Sequence, residues 1–208
     1  MTVPPRRRLV AALAVVAAVV LAVDQATKAL ALAHLTEGVR TPLLGHLLGL
    51  QLIGNPGAAL SLASGMTWIF TIAAVGVSVV IVRVADRLGS RAWAVALGLL
   101  LGGAVGNLVD RLVRPPGFGT GHVVDFLAYG DWFIGNVADI AIVVSAVMIV
   151  LLTLIGVGID GRRSADAATV SEESAPRDGS AVEAGSHEPG GGAGPNDGSV
   201  TEPPDTQR

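Results

Sequence analysis

Of the 17 acidic residues in this 208-residue chain, those preceding residue 160 are Asp24, Glu37, Asp86, Asp110, Asp125, Asp131 and Asp139. Two of them stand in apolar company. Asp125 lies within Val123-Val124-Asp125-Phe126 and Asp139 within Gly135-Asn136-Val137-Ala138-Asp139-Ile140, and neither has a basic residue close in sequence. Two carboxyls brought together in a low dielectric cannot both ionise cheaply, so they share one proton and titrate as a coupled pair. The ionised partner then draws a proton from water, while the protonated one polarises a scissile carbonyl and supplies the leaving amine. That is aspartic-protease chemistry. Spacing alone does not bring the two together, and separate helix-capping or packing roles stay open.

The remaining polar residues gather in three further places. Asp24 and Lys28, the only lysine, are four positions apart, the order that favours an ion pair on a helix face. Such a pair either fixes the depth of a helix end in a membrane or orients a site. Asn55-Pro56-Gly57-Ala58-Ala59-Leu60-Ser61 reads as a turn, in which Asn55 offers both a donor and an acceptor. Gly98, Gly102 and Gly106 recur every fourth residue, a stripe that lets another helix approach closely. Asn107, Asp110 and Arg111 follow on one face, where a hydrogen-bonded knot locking helices together is one expected role.

These groups need elements that hold them at a lipid boundary. The mean hydropathy is +0.61, with 51% hydrophobic and 15% charged residues. Four apolar stretches can cross a hydrocarbon core as helices, at about 9–34, 66–84, 92–110 and 134–159. A water-soluble bundle would need polar faces, and residues 141–157 hold nothing more polar than Ser145 and Thr153. The first stretch also resembles a cleavable secretory signal, but Asp24 and Lys28 are awkwardly placed for a discarded segment. Arg6, Arg7, Arg8, then Arg83, Arg87, Arg91, then Arg162, Arg163 flank the spans so that both termini are expected in the cytoplasm. Residues 24–65 and 109–133 then face outward. Within the first of these, Leu47–Ile53 alternates as a half-buried strand would, so a small extracytoplasmic β-element lying on the membrane surface is expected.

Composition closes off several other classes. The chain has no cysteine, which excludes disulfides, thiolate metal sites and a cysteine nucleophile. Basic residues are few and mostly flank apolar stretches, which speaks against nucleic-acid binding. From Asp160 onward, ten acids face four arginines in a Gly-, Ser- and Pro-rich setting. Residues 160–208 are therefore expected to be a disordered acidic cytoplasmic tail, and residues 1–159 the membrane domain.

Five blocks in order on four spans carry a family likeness. They are Asp24-Gln25-Ala26-Thr27-Lys28, Asn55-Pro56-Gly57-Ala58-Ala59, residues 102–111, Val123-Val124-Asp125-Phe126 and Asn136-Val137-Ala138-Asp139. From about Leu9 to Ile159 the chain resembles the lipoprotein signal peptidase family, also called signal peptidase II. The resemblance implies an all-α, multi-pass protein of the bacterial plasma membrane with Asp125 and Asp139 as catalytic dyad. It also implies that Asp24, Lys28, Asn55, Asn107, Asp110, Arg111, Asn136 and Ala138 shape or brace the site. The implied substrates are diacylglyceryl-modified prolipoproteins, cut on the amino side of the lipidated cysteine with no metal or cofactor, and the chain is expected to act as a monomer. Acyl chains that stay in the bilayer while the peptide bond meets water place the dyad at the outer interface. Gly and Ala faces would leave room for those chains, and Asn55, Asn136 and Arg111 would hold peptide or ester carbonyls. Leu60 and Gly135 depart from the family pattern, which often has Phe at both places; packing in the substrate groove should feel this more than the acid chemistry.

A proton-linked transporter and a non-enzymatic scaffold are the competing classes. Acids grouped at one face, with no internal repeat, count against the transporter. The glycine stripe is the scaffold's main support.

Overall fold

The computed structural model describes residues 5–57 and 67–162. Leu60, Arg163 and the rest of the expected tail lie outside the described residues, as does the whole second unit of the chain, Ala175–Arg208.

Four helices long and apolar enough to cross a membrane form the body: α1 (Arg6–His34), α2 (Thr67–Val84, extended by a 3₁₀ turn over Ala85–Arg87), α3 (Arg91–Val113) and α4 (Val137–Leu154). Their outward flanks carry Val15, Val19, Ile72, Val79, Val143, Val147 and Val150, all exposed on the protein, as helices solvated by lipid require. At α3 the glycine stripe does what its spacing suggests. A Cβ on Gly98 or Gly102 would stand 2.8 or 2.7 Å from the Leu13 or Ala17 carbonyl oxygen of α1, and one on Gly103 2.6 Å from that of Ala138 in α4. Backbone is thus packed against backbone on two sides of α3. The room for acyl chains expected at Gly and Ala faces does not lie at these glycines, where α1 and α4 pack closely.

One end of the bundle is basic. Arg6 pairs with Asp86, the Gly89 N–H donates to Ile159 O at 2.9 Å, and Trp93 Nε1 donates to Val157 O at 2.8 Å. Leu9, Leu13, Ile81, Leu97 and Leu152 form the core there. After α4 the chain reverses at Gly156, whose φ of 70° is the left-handed conformation that ends many helices.

The other end carries a four-stranded antiparallel sheet in the order β1-β2-β3-β4, comprising β1 (Arg40–Leu44), β2 (Leu48–Asn55), β3 (Val123–Tyr129) and β4 (Phe133–Gly135). The strand read over Leu47–Ile53 is β2, and it has more company than expected. Pro42 and a short, partly exposed β4 hide their strands from a pattern reading. For the same reason α4 begins at Val137 rather than near residue 134: Phe133–Gly135 pairs with Leu127–Tyr129, and Asn136 caps the helix. Ala31 of α1 packs with Leu52, Val124 and Phe126, which seats the sheet on the helix end.

Candidate active site

The site lies where the sheet meets the helix ends. β2 and β3 pair with Ile53 opposite Asp125 and Asn55 opposite Val123. Asn55 is therefore the diagonal same-face neighbour of Asp125, and its Nδ2 donates to Asp125 Oδ2 at 2.7 Å. The other oxygen, Oδ1, accepts from Asn136 Nδ2 at 2.6 Å.

Asn136 reaches the second carboxyl as well. It is the N-cap of α4 and forms a capping box with Asp139: Asp139 N–H donates to Asn136 Oδ1 at 3.0 Å, and Asn136 N–H donates to Asp139 Oδ2 at 3.0 Å. A helix-capping role and a place beside Asp125 were alternatives for Asp139 on sequence; it has both. Its Oδ1 accepts from Asn107 Nδ2 at 2.9 Å. One residue, Asn136, thus holds both carboxyls, by its side chain on one and its backbone on the other.

A second set of acids stands behind the first. Lys28 Nζ lies 2.9 Å from Asp24 Oδ2 and 2.8 Å from Asp110 Oδ2, with all three side chains fully buried. It also donates to Asn107 Oδ1 at 3.0 Å, tying this cluster to Asp139 through one amide. Asp24 Oδ1 accepts the Ala138 N–H at 3.0 Å, which anchors the first turn of α4. Asp110 additionally accepts from Arg114 Nε at 2.7 Å and from the Val124 N–H at 3.2 Å, so it clamps β3 next to Asp125.

The result is a division of labour. Among the described residues, no Lys, Arg or His makes an ion pair with Asp125 or Asp139, whereas Asp24 and Asp110 share Lys28. Asp125 is 1% exposed. Burial pushes its carboxyl up to about 6 against the hold of Asn55, with the charge of Asp139 adding to the rise. Asp139 is only partly buried and borders a cavity of about 430 Å³ with Tyr129, Phe133, Ile140, Val143 and Val144. The Tyr129 phenol is raised by burial and by the charge of Asp139, which it faces across that cavity.

All ten residues singled out on sequence fall in or beside this network, with one change of partner. Arg111 is not in the knot with Asp110 and Asn107. Its guanidinium lies 5.3 Å over the Phe70 ring, and Nη1 is buried with no hydrogen-bond acceptor among the described residues. Its helical neighbours are turned toward Lys28 instead, because the buried ammonium supplies the charge that Asp110 needs.

Two participants carry no expected site role from sequence. Gln25 Nε2 donates to Asp24 Oδ2 and Gly106 O, both at 3.1 Å, and Arg114 pairs with Asp110. The four-residue spacing of Asp110 and Arg114 is a usable signal; Gln25 has only its place in the first family-like block. Gly135 also touches the acids more closely than its departure from the family pattern suggested. A Cβ there would stand 2.8 Å from Asp139 Oδ2 and 2.5 Å from the Phe133 ring.

Residues 16–155 match the family model described as signal peptidase (SPase) II. The lipoprotein signal peptidase of Leifsonia xyli subsp. xyli (strain CTCB07) is 52% identical over 173 residues, 82% of this chain and 80% of that protein. The one from Rhodococcus jostii (strain RHA1) is 52% identical over 158 residues, 76% and 79% of the two chains. A solved structure described as a bacterial membrane enzyme determined by the in meso method at 1.9 Å superposes with a TM-score of 0.60 at 29% identity. It covers 67% of this chain and 90% of that one.

Proposed function

The chain belongs to the signal peptidase II family, and from that premise we propose that Asp125 and Asp139 are the catalytic dyad of a membrane aspartic endopeptidase acting on bacterial prolipoproteins. The observation that carries the assignment is the contrast in partners. Asp24 and Asp110 have a buried ammonium between them, while Asp125 and Asp139 receive only neutral N–H donors and are joined through Asn136. A carboxyl pair without a cation retains one proton more readily than a neutralised pair.

With that proton shared, the ionised member takes a proton from a water molecule, whose oxygen attacks the scissile carbonyl carbon. The protonated member gives its proton to the carbonyl oxygen. Collapse of the tetrahedral adduct breaks the C–N bond, and a proton passes to the departing amine. Asn55, Asn136 and Asn107 hold the four carboxylate oxygens in place through this exchange. Arg111 Nη1, buried and without an acceptor, suits a substrate carbonyl, which would satisfy an otherwise unfavourable N–H.

The substrates are prolipoproteins carrying a diacylglyceryl cysteine, cut on its amino side. The cavity bordered by Asp139 opens along the apolar flank of α4, which allows acyl chains to stay in lipid while the peptide bond reaches the acids. The described arginines of these clusters, Arg6, Arg7, Arg8, Arg83, Arg87, Arg91 and Arg162, flank the helix ends away from the sheet, which favours cytoplasmic termini and a site near the outer face. A monomer suffices, since both carboxyls and their donors come from one chain.

The test is cleavage of a synthetic diacylated prolipoprotein peptide by purified protein. Asp125→Asn and Asp139→Asn are each expected to lower kcat/KM by at least about a thousandfold while elution and helical content stay unchanged. Full activity in either folded variant removes that residue from the dyad.

A further inference from the structure

At the end of the sheet farthest from α3, the register forms one row across all four strands: Leu44 opposite Leu48, Leu48 opposite Tyr129, Tyr129 opposite Phe133. Residues paired in this way share a face, and all four are large and apolar or aromatic. Tyr129 and Phe133, stacked with ring centroids 6.1 Å apart, turn that face toward Ile140, Val143 and Val144 on the exposed flank of α4. The flank belongs to a helix long and apolar enough to cross the membrane. Apolar side chains therefore follow one another from the flank of α4, over Phe133 and Tyr129, to Leu48 and Leu44.

Among the described residues, the outer part of this row stands exposed. Leu44 is 64% exposed and Leu47, in the β1–β2 turn, 75%. Turns that face water favour Gly, Asn, Asp and Ser, whereas this one sets two leucines at its edges beside a second turn that carries Trp132, 96% exposed. The two turns are fastened together: the Gly130 N–H donates to Leu47 O at 2.8 Å, and Arg40 Nη1 reaches Asp131 Oδ1 at 2.6 Å. That ion pair and Trp132 have the chemistry of the headgroup level. The leucine row has the chemistry of the layer below it.

We propose that the row Leu44–Leu48–Tyr129–Phe133, with Leu47 at its turn, is a lipid-contact face by which the sheet rests in the leaflet on its own side of the membrane. The occupant is bilayer lipid, because the row continues a surface that lipid already covers on α4. β3 runs from this row at Tyr129 to Asp125, so the anchor fixes the height and tilt at which that carboxyl is presented. The inference rests on the four spans and not on the peptidase assignment.

The absence of cysteine allows a single nitroxide at Leu44→Cys or Leu47→Cys in the full-length protein. Each is reconstituted into phosphatidylethanolamine–phosphatidylglycerol vesicles, and collision with oxygen is compared with collision with a water-soluble nickel chelate. Val143→Cys supplies the lipid reference and a free water-soluble nitroxide the aqueous one. Both sheet labels are expected to show an oxygen-to-nickel ratio at least about threefold above the aqueous reference, as for groups set about 5–10 Å into the headgroup and acyl boundary. An aqueous ratio at both positions overturns the proposal. So does dipolar broadening between molecules, which would make the row a contact between copies, or nickel protection that arises only when a lipidated peptide is added, which would make it a substrate surface. Repeating the measurement in Asp139→Asn separates the anchor from catalysis: lipid immersion retained there supports it, and immersion lost there overturns it.

Discussion

Asp24 and Asp110 meet across an ammonium; Asp125 and Asp139 meet across an amide. Both pairs are built from one residue on a helix end and one on an adjoining element; Asp24, Asp110 and Asp125 are buried, and Asp139 alone borders a cavity. What differs is the charge of the group between them. Lys28 makes its pair a structural clamp, tying α1 to α3 and, through Asp24 and the Ala138 N–H, to α4. Asn136 joins its pair through neutral N–H donors, with no cation in ion-pair contact and the charges of Arg111 and Lys28 acting only from farther away. The same residue type thus serves as a clamp in one place and, on the proposed assignment, as the proton-transfer pair beside it.

The largest expected effect comes from breaking the clamp. Lys28→Met leaves two buried carboxyls without their shared cation, a loss on the order of 3–5 kcal/mol, read as a lower Tm in detergent and reduced recovery of folded protein. Asp125→Asn should fall well short of that loss, because no cation is in ion-pair contact with it. If the two variants unfold alike, the contrast between the pairs is wrong.

Gly106→Ala comes next. Its Cβ would stand 2.6 Å from Asp24 Oδ2, so the clamp must move, with a stability loss of about 1–3 kcal/mol expected in a chemical unfolding titration. An unchanged midpoint would show that α1 can yield there.

The third prediction concerns protons. The hydrogen bond from Asn55 holds Asp125 down, so Asn55→Ala should raise that carboxyl further and move the alkaline limb of the kcat/KM profile upward by about one pH unit. A downward shift would reverse the assigned role of Asn55. The sign for stability is the opposite of an ordinary ion-paired carboxylate. With its folded value raised to about 6 from the usual 3.8, Asp125 favours the folded state fully below the usual value, and this contribution is lost as pH rises through about 6. Asp125→Asn should flatten that part of the stability profile.

The smallest effect is expected at Gly135→Ala. The Phe133 ring edge is free to swing away but Asp139 Oδ2 is held by the cap, so a drop in kcat of about three- to tenfold is expected with little change in Tm. No change at all would mean that Asp139 tolerates displacement.

Much of this arrangement was legible in the chain. Four apolar runs, the spacing of Asp24 and Lys28, and the stripe Gly98, Gly102, Gly106 each report a local helical geometry that neighbouring residues dictate. The strand at Leu48–Asn55 showed because its leucines alternate. β1 and β4 did not, since one contains a proline and the other is three residues long, and each is a strand only because β2 and β3 offer it a partner. Of the roles open to Arg111, the contact with Phe70 has no sequence signal, because that ring comes from another helix.

Sequence by itself determined the elements whose contacts are three or four residues apart: the spans, the Asp24–Lys28 pair and the cap that Asn136 and Asp139 form together. Tertiary structure alone decided which acids share a cation and which share an amide. Lys28 reaches Asp110, and Asn55 reaches Asp125, across chain separations of 82 and 70 residues. Contacts of that range depend on how closely the glycine faces let the helices approach and on the register of β2 against β3, and both are set by packing rather than by any local rule.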